Sequence, residues 1–236
     1  MQTEGRSELW KAVWERKGQT SATPLHHLNG FDLLSAAEWD EMIRKVADPM
    51  DLRPGQHVIE CGCGAGAFLA SLQRQYPGIR VSGMDYSASL VRKAAEVLDG
   101  RFDQGDMRDL GFLPEAAYDR VISFSAFHYL DSAEDAERAV REMSRLVKPG
   151  AMMVIGEVSD AAKRDEALEI RRLSHRDQPK LSPEELDHLY LPKSMFEGLA
   201  AELGYGLAIV DHTTLNMPTY QAARYRYTAY FKDKQA

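Results

Sequence analysis

The sequence predicts an α/β protein in which a mostly parallel sheet is covered by helices on both faces. Short apolar runs, such as HVIEC at 57–61 and AMMVIGEV at 151–158, alternate with helical segments along residues 55–158. These runs are mostly apolar on both faces, which is typical of strands buried on both sides. Strand–helix alternation of this kind places consecutive strands parallel to one another in one sheet.

The remaining elements follow from apolar spacing and from the Pro and Gly residues that end each segment. A helix is expected behind Ser35, because Ser35-x-x-Glu38 has the form of a capping box. The expected strands are 57–61, 80–85, a weak one near Phe102, 119–125, 151–158, 206–214 and 225–231. Further helices are expected between the strands and over 160–180, 182–186 and 193–204. No Pro/Gly/Ser-rich linker divides the chain, so we expect one domain.

Composition places the chain among ordinary globular proteins. Hydrophobic residues make up 44% and charged residues 28% of the 236, and a chain of this length can fold without a disulfide or a metal. Cys61 and Cys63 are too close together for a local disulfide and lack the spacing of zinc ligands, which favours a reducing compartment. With neither a signal peptide nor an apolar run of transmembrane length, we expect a cytoplasmic protein without membrane contact.

Charge and residue clustering argue against two classes of partner. The 29 Lys and Arg against 36 Asp and Glu give a formal net charge of −7, which disfavours nucleic acid as a partner. No cluster of His, Cys, Asp and Glu has convincing metal-ligand spacing, so no metal is expected.

The segment HVIECGCGAGAFL, residues 57–69, carries the strongest functional signal. Gly62, Gly64 and Gly66 occupy alternate positions between a buried strand and an amphipathic helix. Glycines there let the backbone turn tightly and approach a ligand, and the N–H groups of such a turn can bind a polar or anionic cofactor group. Gly62-x-Gly64-x-x-Ala67 also satisfies the dinucleotide fingerprint of dehydrogenases, so the glycines alone leave the cofactor open.

A carboxylate at the end of the second predicted strand supports nucleoside binding. Asp85 lies where an acid can accept hydrogen bonds from both hydroxyl groups of a ribose. The alternative is that Asp85 only caps the helix that begins in the segment 87–90.

Glu60 together with the three alternate glycines resembles motif I of the class I S-adenosylmethionine-dependent methyltransferases, and the resemblance covers about residues 55–158. It implies a Rossmann-like, mostly parallel seven-stranded sheet with helices on both faces and an antiparallel final strand. It also implies S-adenosyl-L-methionine (SAM) as cofactor and S-adenosyl-L-homocysteine (SAH) as product. The long segment before the glycines, the acid of Gly105-Asp106 and the HYLD sequence at 128–131 separate the chain from dehydrogenases.

The resemblance assigns cofactor contacts to matching positions. Asp85 would hold the ribose, Asp106 would accept from the adenine amino group, and the backbone of Met107 would lie beside the ring. The full set of expected cofactor-binding residues is Glu60, Gly62, Gly64, Gly66, Asp85, Tyr86, Asp106, Met107 and Ser125.

Methyl transfer from a sulfonium has a good leaving group, so alignment of the reactants is the protein's main task. His128 is the candidate general base for an acceptor that must lose a proton, and the alternative is that it only lines the pocket. The candidate acceptor-pocket residues are Trp14, Phe127, Tyr129, Glu157 and Tyr190, with Tyr220 and Tyr225 as further aromatic walls. Aromatic residues in the last strands are also typical of ordinary β packing. His175 and His188, in a charged region, are expected at the surface.

Three parts are expected within the single domain 1–236. Residues 1–50 would form an N-terminal helical lid or cap, 51–158 the cofactor-binding core, and 159–236 the acceptor-side helices with the final strand pair. Trp10, Trp14 and Phe31 of the first part must pack either permanently on the core or chiefly on bound ligand. Lys17 or Arg16 would then meet the carboxylate of the cofactor.

These features predict a methyltransferase that acts on a small-molecule acceptor, a metabolite or natural product, by in-line transfer. The second alternative is a methyltransferase of macromolecules. Such an enzyme needs a basic or extended docking surface, which the net charge of −7 does not indicate. A non-enzymatic binding module of the same fold is the third alternative. Oxygen, nitrogen, sulfur and carbon all stay open as the methylated atom, and the oligomeric state stays open as well.

Overall fold

The computed structural model describes residues 5–20, 24–174 and 188–233. The expected helix over 182–186 and His175 lie outside these residues. No helix of the described part is long and apolar enough to cross a bilayer.

Seven strands form one mixed sheet in the described residues. They are β1 (His57–Cys61), β2 (Arg80–Asp85), β3 (Gly100–Gln104), β4 (Tyr118–Phe124), β5 (Val147–Ser159), β6 (Gly206–Asp211) and β7 (Arg226–Lys232). Their order is β3-β2-β1-β4-β5-β7-β6, with β1 to β5 parallel and β7 antiparallel to both of its neighbours. The Rossmann-like fold class expected from the sequence is confirmed.

Eight α-helices surround the sheet in the described residues. They are α1 (Arg6–Gly18), α2 (Leu25–Leu28), α3 (Ala36–Ala47), α4 (Ala67–Gln75), α5 (Ala88–Val97), α6 (Ala133–Leu146), α7 (Arg164–Ser174) and α8 (Lys193–Leu203). Short 3₁₀ segments lie at Asp48–Met50, Phe127–Tyr129, Ala161–Lys163, His212–Leu215 and Gln221–Tyr225. The capping box predicted at the start of α3 is present, because Ser35 and Glu38 satisfy each other's backbone N–H groups.

Side chains that alternate along the strands feed two cores, one on each face of the sheet. Val58 of β1 belongs to the core that contains Trp39 of α3 and Phe68 of α4. Its neighbour Ile59 belongs to the core that contains Met143 of α6 and Phe196 of α8. Burial on both faces explains why these strands read as continuous apolar runs.

The fifth strand begins earlier than the sequence predicts. Pro149-Gly150 indicated a break before residue 151, but β5 begins at Val147, which pairs with Tyr118 of β4. A register shift between Tyr118 and Arg120 accommodates the irregular backbone, and Gly150 adopts a φ of 70°. Proline is tolerated at such an irregular strand start, since no regular ladder bond is required of it.

The N-terminal helix α1 packs closely on α5. A Cβ atom placed on Gly18 would lie 2.2 Å from Ser89 Oγ and 2.9 Å from the backbone nitrogen of Leu90. The hydroxyl could rotate away, but the Leu90 nitrogen belongs to the first turn of α5 and is fixed. A side chain at position 18 would therefore push the two helices apart.

We predict opposite effects of alanine at two helical glycines. Gly198→Ala in α8, where an added Cβ would meet nothing within 4 Å, should raise the free energy of unfolding by about 0.5–1 kcal/mol because alanine favours helix. Gly18→Ala should instead lower it by about 1–3 kcal/mol through overpacking. Denaturant unfolding measures both, and tryptic cleavage at Arg16 and Lys17 reports whether α1 has detached. Equal stabilisation by the two substitutions would contradict the packing described.

Candidate active site

A cavity of about 790 Å³, partly open to solvent, lies at the carboxyl ends of β1, β2 and β4. The sheet order reverses between β1 and β4, and open α/β sheets bind ligands in the crevice at such a point. We call this the cofactor cavity. Most of the expected cofactor-binding residues line it: Glu60, Gly62, Gly64, Asp85, Tyr86, Asp106, Met107 and Ser125.

Two glycines of the loop after β1 give the cavity its shape. Gly62 and Gly64 have φ angles of 83° and 53°, a region that side chains disfavour. A Cβ on Gly62 would lie 2.6 Å from that of Ala126. One on Gly64 would lie 2.8 Å from the side-chain amide of Asn29. The glycines thus leave a backbone-lined cradle that any larger residue would fill.

Gly66 does not line the cofactor cavity, so its expected role as a cofactor contact needs correction. It precedes α4 with a φ of 80°. A Cβ there would lie 2.7 Å from Leu98 Cδ1 and 3.2 Å from Ala94 Cβ. Gly66 therefore permits close packing of α4 against α5 rather than approach of a ligand.

The Asp85 carboxylate joins the glycine loop to the start of α5. Its Oδ2 accepts a hydrogen bond from Gly64 N at 2.9 Å, and its Oδ1 accepts one from Ser87 N at 2.9 Å. Burial raises the pKa of Asp85 to about 6, although these backbone donors act in the opposite direction. Ser87 itself caps α5. Asp85 thus supports the cap of α5 and also lines the cofactor cavity. Its position at the helix cap is therefore compatible with the expected contact to a ribose.

Glu60 at the end of β1 is buried beside Asp85. Burial, together with the neighbouring Asp85 carboxyl, holds the pKa of Glu60 well above its ordinary value. Its Oε2 has no hydrogen-bond partner among the described residues. A buried carboxyl oxygen without a partner is costly, and a cationic or hydrogen-bond-donating ligand would relieve that cost.

Asp106 lies on the cavity wall but is engaged by Arg108. The Asp106 carboxylate accepts from Arg108 N at 2.8 Å and from Arg108 Nη2 at 2.7 Å. Burial acts to raise the pKa of Asp106, but the hydrogen bonds from Arg108 outweigh it, so this pKa lies below the ordinary value. Asp106 is therefore an ionised acceptor, and an adenine amino group would share it with Arg108.

Asn29, which the sequence did not single out, reaches the glycine loop from the N-terminal segment. Ala65 N donates to Asn29 Oδ1 at 3.0 Å, and Asn29 Nδ2 donates to Cys63 O at 3.2 Å. The N-terminal segment thus forms part of the cofactor cavity. No local pattern around Asn29 signals this contact, because it spans more than thirty positions of the chain.

The cradle and the acids fit SAM. The glycine loop offers open backbone to a ligand, and Asp85 keeps lone pairs for ribose hydroxyls beyond its two backbone bonds. The unpartnered oxygen of Glu60 suits a ligand that carries positive charge, as SAM does on its sulfonium and ammonium groups.

A second cavity, of about 1530 Å³ including space open to solvent, adjoins the first. The residues that line both are Trp14, Asn29, Phe31, Ser125 and Tyr129. We call it the acceptor cavity. Its other walls come from α1, α7 and the segment 219–226.

Aromatic rings form one side of the acceptor cavity. The rings of Trp10 and Tyr129 are 4.7 Å apart, and those of Trp14 and Tyr129 are 5.4 Å apart with an edge-to-face arrangement. Tyr220 and Tyr225 line the cavity as well. Such a wall suits a flat or apolar acceptor.

His128 lies on the acceptor cavity wall but is not arranged as a base. Its Nδ1 is 2.8 Å from Arg226 Nη1. Because a guanidinium only donates, Nδ1 is the acceptor and the single proton of the neutral ring is on Nε2. Burial and the neighbouring Arg226 and Arg171 hold the pKa of His128 well below its ordinary value. The structure therefore favours the lining role over the expected base.

Two residues with left-handed backbone meet where the cavities join. Ser125 after β4 has a φ of 60°, and Glu157 in β5 has a φ of 62°. Ser125 Oγ donates to Glu157 Oε2 at 3.1 Å, and the Tyr220 hydroxyl donates to Glu157 Oε1. Burial raises the pKa of Glu157, with Arg226 and Ser125 acting against it. Strained backbone at two adjoining positions is typical of a functional site.

Several expected positions need correction. Phe127 lies in the hydrophobic core, with its ring 6.4 Å from that of Phe196, and lines neither cavity. Tyr190 is likewise absent from both walls and lies against Arg164. His188 is buried on the acceptor cavity wall instead of exposed. The local sequence around these three residues does not show which distant element each side chain contacts.

The basic residues proposed for the cofactor carboxylate are also placed elsewhere. Lys17 lines the acceptor cavity, with its Nζ 5.3 Å from the Trp14 ring and 3.5 Å from Asp32 Oδ2. Arg16 is exposed and lines neither cavity. Within the described ranges, no group of three or more His, Cys, Asp or Glu side chains could hold a metal ion.

Comparisons with known proteins agree with this geometry. Residues 58–150 match the family described as a methyltransferase domain. An uncharacterized methyltransferase of Geobacillus kaustophilus (strain HTA426) is 37% identical over 131 residues, which cover 55% of this chain and 56% of that protein. The trans-aconitate 2-methyltransferase of Deinococcus radiodurans is 30% identical over 105 residues, 44% of this chain and 38% of that protein. The chain thus spans about half or less of the length of these relatives.

Solved structures share the fold over nearly the whole chain. Magnesium protoporphyrin IX methyltransferase from Synechocystis PCC 6803, solved with bound SAM, has a TM-score of 0.64 at 14% identity, covering 99% of this chain and 100% of that one. A methyltransferase in complex with the Haloferax volcanii Trm112 activator has a TM-score of 0.65 at 19% identity, with the same coverage. At these identities the likeness concerns the fold.

Residues 58–150 thus match a methyltransferase domain family, and the fold and the motif I loop are those expected of a class I SAM-dependent methyltransferase. The residues that line the cofactor cavity fit SAM as the cofactor.

We predict that Asp85→Ala weakens SAH binding at least about tenfold, because a charge-assisted acceptor of two hydroxyl groups is lost. The substitution also leaves Gly64 N and Ser87 N without their acceptor. The ligand-free protein should therefore lose about 1–3 kcal/mol of stability. Asp103→Ala, on a residue that pairs with Arg101 and does not line the cavity, is the matched control. Calorimetry and thermal melting measure both quantities, and unchanged SAH affinity in Asp85→Ala would contradict the assignment.

Proposed function

We propose that this chain transfers the methyl group of SAM to a small-molecule acceptor held in the acceptor cavity. The observation that carries the proposal is the shared wall, because five residues line both cavities. A molecule in the acceptor cavity would therefore lie next to the reactive end of a cofactor bound in the first. The acceptor cavity is bounded by side chains of this chain on several sides, which suits a small molecule more than a protein or nucleic-acid surface.

When bound, SAM supplies a methyl group on a cationic sulfonium, and in-line attack by the acceptor releases SAH. The protein's residues supply alignment and exclude water. Trp14, Phe31 and Tyr129 surround the junction of the cavities and keep it apolar. Ser125, held to Glu157, offers a polar contact at the same place. For an acceptor that must lose a proton, the Glu157 carboxyl is better suited than His128, whose Nδ1 is occupied by Arg226.

The relatives support a small molecule without identifying it. One of them is named for trans-aconitate and a structural neighbour for magnesium protoporphyrin IX, which are chemically unlike each other. Acceptor identity therefore depends on the residues of the acceptor cavity rather than on the shared cofactor core.

A macromolecular acceptor is the second candidate, because one relative, from Mus musculus, is described as a probable tRNA methyltransferase and is 30% identical over 109 residues, 22% of its length. The net charge of −7 gives this chain no general attraction to a nucleic acid.

We predict that the purified chain, given SAM with an isotopically labelled methyl group and fractionated metabolite pools, yields a labelled product of low molecular mass. Mass spectrometry reads the mass shift, and the Asp85→Ala variant is the negative control. In parallel, bulk tRNA and whole-cell protein are incubated with the same label. Label found only in the macromolecules would refute the small-molecule proposal and favour the second candidate.

We also propose that the N-terminal segment acts as a lid over both cavities. Its first residues are held by the aspartate of the HYLD sequence: Ser7 N and Ser7 Oγ donate to the Asp131 carboxylate at 2.7 and 2.5 Å. Further along α1, Glu15 accepts from Ser87 Oγ at 2.7 Å, next to Asp85. These contacts are polar and partly exposed, so they can be broken at modest cost.

We expect the N-terminal segment to move because of its position. Ser7, Trp14, Asn29 and Phe31 line the cofactor cavity from outside the sheet. A cofactor of the size of SAM can reach the glycine loop most directly if these residues swing away and then close again.

We predict that SAH slows hydrogen exchange and proteolysis in α1 and in the segment around Asn29. Trypsin cleavage at Arg16 and Lys17 should fall together with amide exchange over 6–18, since the closed segment is stabilised by ligand contacts. Exchange in α8, whose residues line neither of these cavities, is the internal control and should not change. Equal protection of α1 with and without SAH would mean a fixed structural arm, and the lid would have to be abandoned.

A further inference from the structure

The acceptor cavity contains a buried arginine whose hydrogen-bonding capacity is only partly used. Arg226 begins β7, lines the cavity and is 4% exposed. A guanidinium has five N–H donors and is charged at every relevant pH. A buried donor without an acceptor is costly, so the unused donors of Arg226 indicate a missing partner.

The used donors all lie toward one end of the guanidinium. Nη1 donates to His128 Nδ1 at 2.8 Å and to the backbone oxygen of Glu157 at 3.0 Å. Nη2 makes a longer contact of 3.3 Å with His188 Nδ1. Nε is buried and has no acceptor among the described residues. The Nε–Nη2 edge, one of the two edges by which arginine binds planar anions bidentately, is therefore the less used one, with a single long contact at Nη2.

His128, one of two histidines beside this arginine, is a donor on its other nitrogen. Its Nδ1 accepts from Arg226, so the neutral ring carries its proton on Nε2. The rings of His128 and His188 are 4.3 Å apart, and both line the cavity. Arg171 Nη1 also contacts His188, at 2.6 Å from Nδ1 and 2.9 Å from Nε2. The polar groups around Arg226 thus consist largely of donors, which suits a ligand rich in acceptors.

We propose that Arg226 binds an anionic group of the acceptor, a carboxylate or a phosphate, through its Nε–Nη2 edge. This inference rests on the proposed function and specifies its substrate class. His128 contacts Nη1 and His188 contacts Nη2, and these contacts hold the guanidinium in place. They are positioning residues for this anion site.

The competing interpretation is that Arg226 only neutralises Glu157. The two are paired, but Nη1 and Glu157 Oε2 are 3.5 Å apart, longer than a normal hydrogen bond. The Glu157 carboxylate is already supplied with two hydroxyl donors, from Ser125 and Tyr220. If Arg226 only neutralised Glu157, Arg226 Nε would still lack an acceptor among the described residues. An anionic ligand would provide that acceptor.

The test uses three probe ligands that share an aromatic ring and differ in charge: phenylacetate, its neutral amide phenylacetamide, and phenyl phosphate. Each is titrated by calorimetry into the full chain saturated with SAH. We expect at least one of the two anions to bind about tenfold or more tightly than the amide, since a bidentate charge-assisted contact is lost in the amide. Preference between carboxylate and phosphate then identifies the anion.

Two variants connect that preference to Arg226. Arg226→Gln should reduce the preference for the anion over the amide to about threefold or less, and Arg226→Lys should keep an intermediate preference because it retains charge but not the fork. Arg224→Gln is the matched control, since Arg224 is largely exposed and paired with Glu166. SAH affinity of each variant, measured first, shows that the cofactor site is intact.

Several outcomes would overturn the inference. These are equal binding of phenylacetate, phenyl phosphate and phenylacetamide, no binding of either anion, or an Arg226→Gln variant that binds SAH normally and keeps the full preference for the anion. If Arg226→Gln does not fold, the wild-type comparison of anion with amide and the Arg226→Lys variant decide the matter. A labelled product whose unmethylated acceptor carries neither a carboxylate nor a phosphate would refute the anion site while leaving the methyltransferase function in place.

Discussion

The hydrogen bonds of one buried carboxylate hold the cofactor site together. Asp85 accepts from Gly64 N and Ser87 N, so a single side chain fixes the glycine loop after β1 and the first residues before α5. Glu60 is buried beside Asp85. Two adjacent buried carboxyl groups are stable only while one of them is protonated or a cation lies near them. A positively charged cofactor meets that requirement. Binding of the ligand and ionisation of the site are therefore linked by the same electrostatics.

The N-terminal segment completes a site that the sheet begins. The strands supply the cofactor cavity with acids and glycines from their carboxyl ends, and these elements lie within residues 57–125. The acceptor cavity has no such single source. It combines α1 with α7 and the segment 219–226, both of which lie well over a hundred residues beyond α1 in the chain. Changes in these outer segments can thus alter the acceptor without disturbing the hydrogen bonds around Asp85.

The sequence predicts those parts of the molecule that depend on local pattern. The bounds of β1 and β2 and the capping box of α3 follow from apolar runs and from one Ser-x-x-Glu pattern. Contacts between distant segments leave no such pattern. His188 sits in a charged region yet is buried, because Arg226 and Trp10 reach it from elsewhere in the chain. Phe127 and His128 are neighbours, but a short 3₁₀ turn directs one to the core and the other to the cavity.

The two cavities differ in charge along the direction of methyl transfer. The cofactor cavity contains Glu60, Asp85 and Asp106, which suit the cationic form of the cofactor. The acceptor cavity contains Arg226 and Arg171 beside two neutral histidines, with Glu157 at the junction. Transfer moves positive charge from the first cavity toward the second, which a cationic wall opposes unless the acceptor brings a negative charge. With an anionic acceptor the moving charge is neutralised where it arrives, so the Nε–Nη2 edge of Arg226 and the acids around the cofactor would serve the same step.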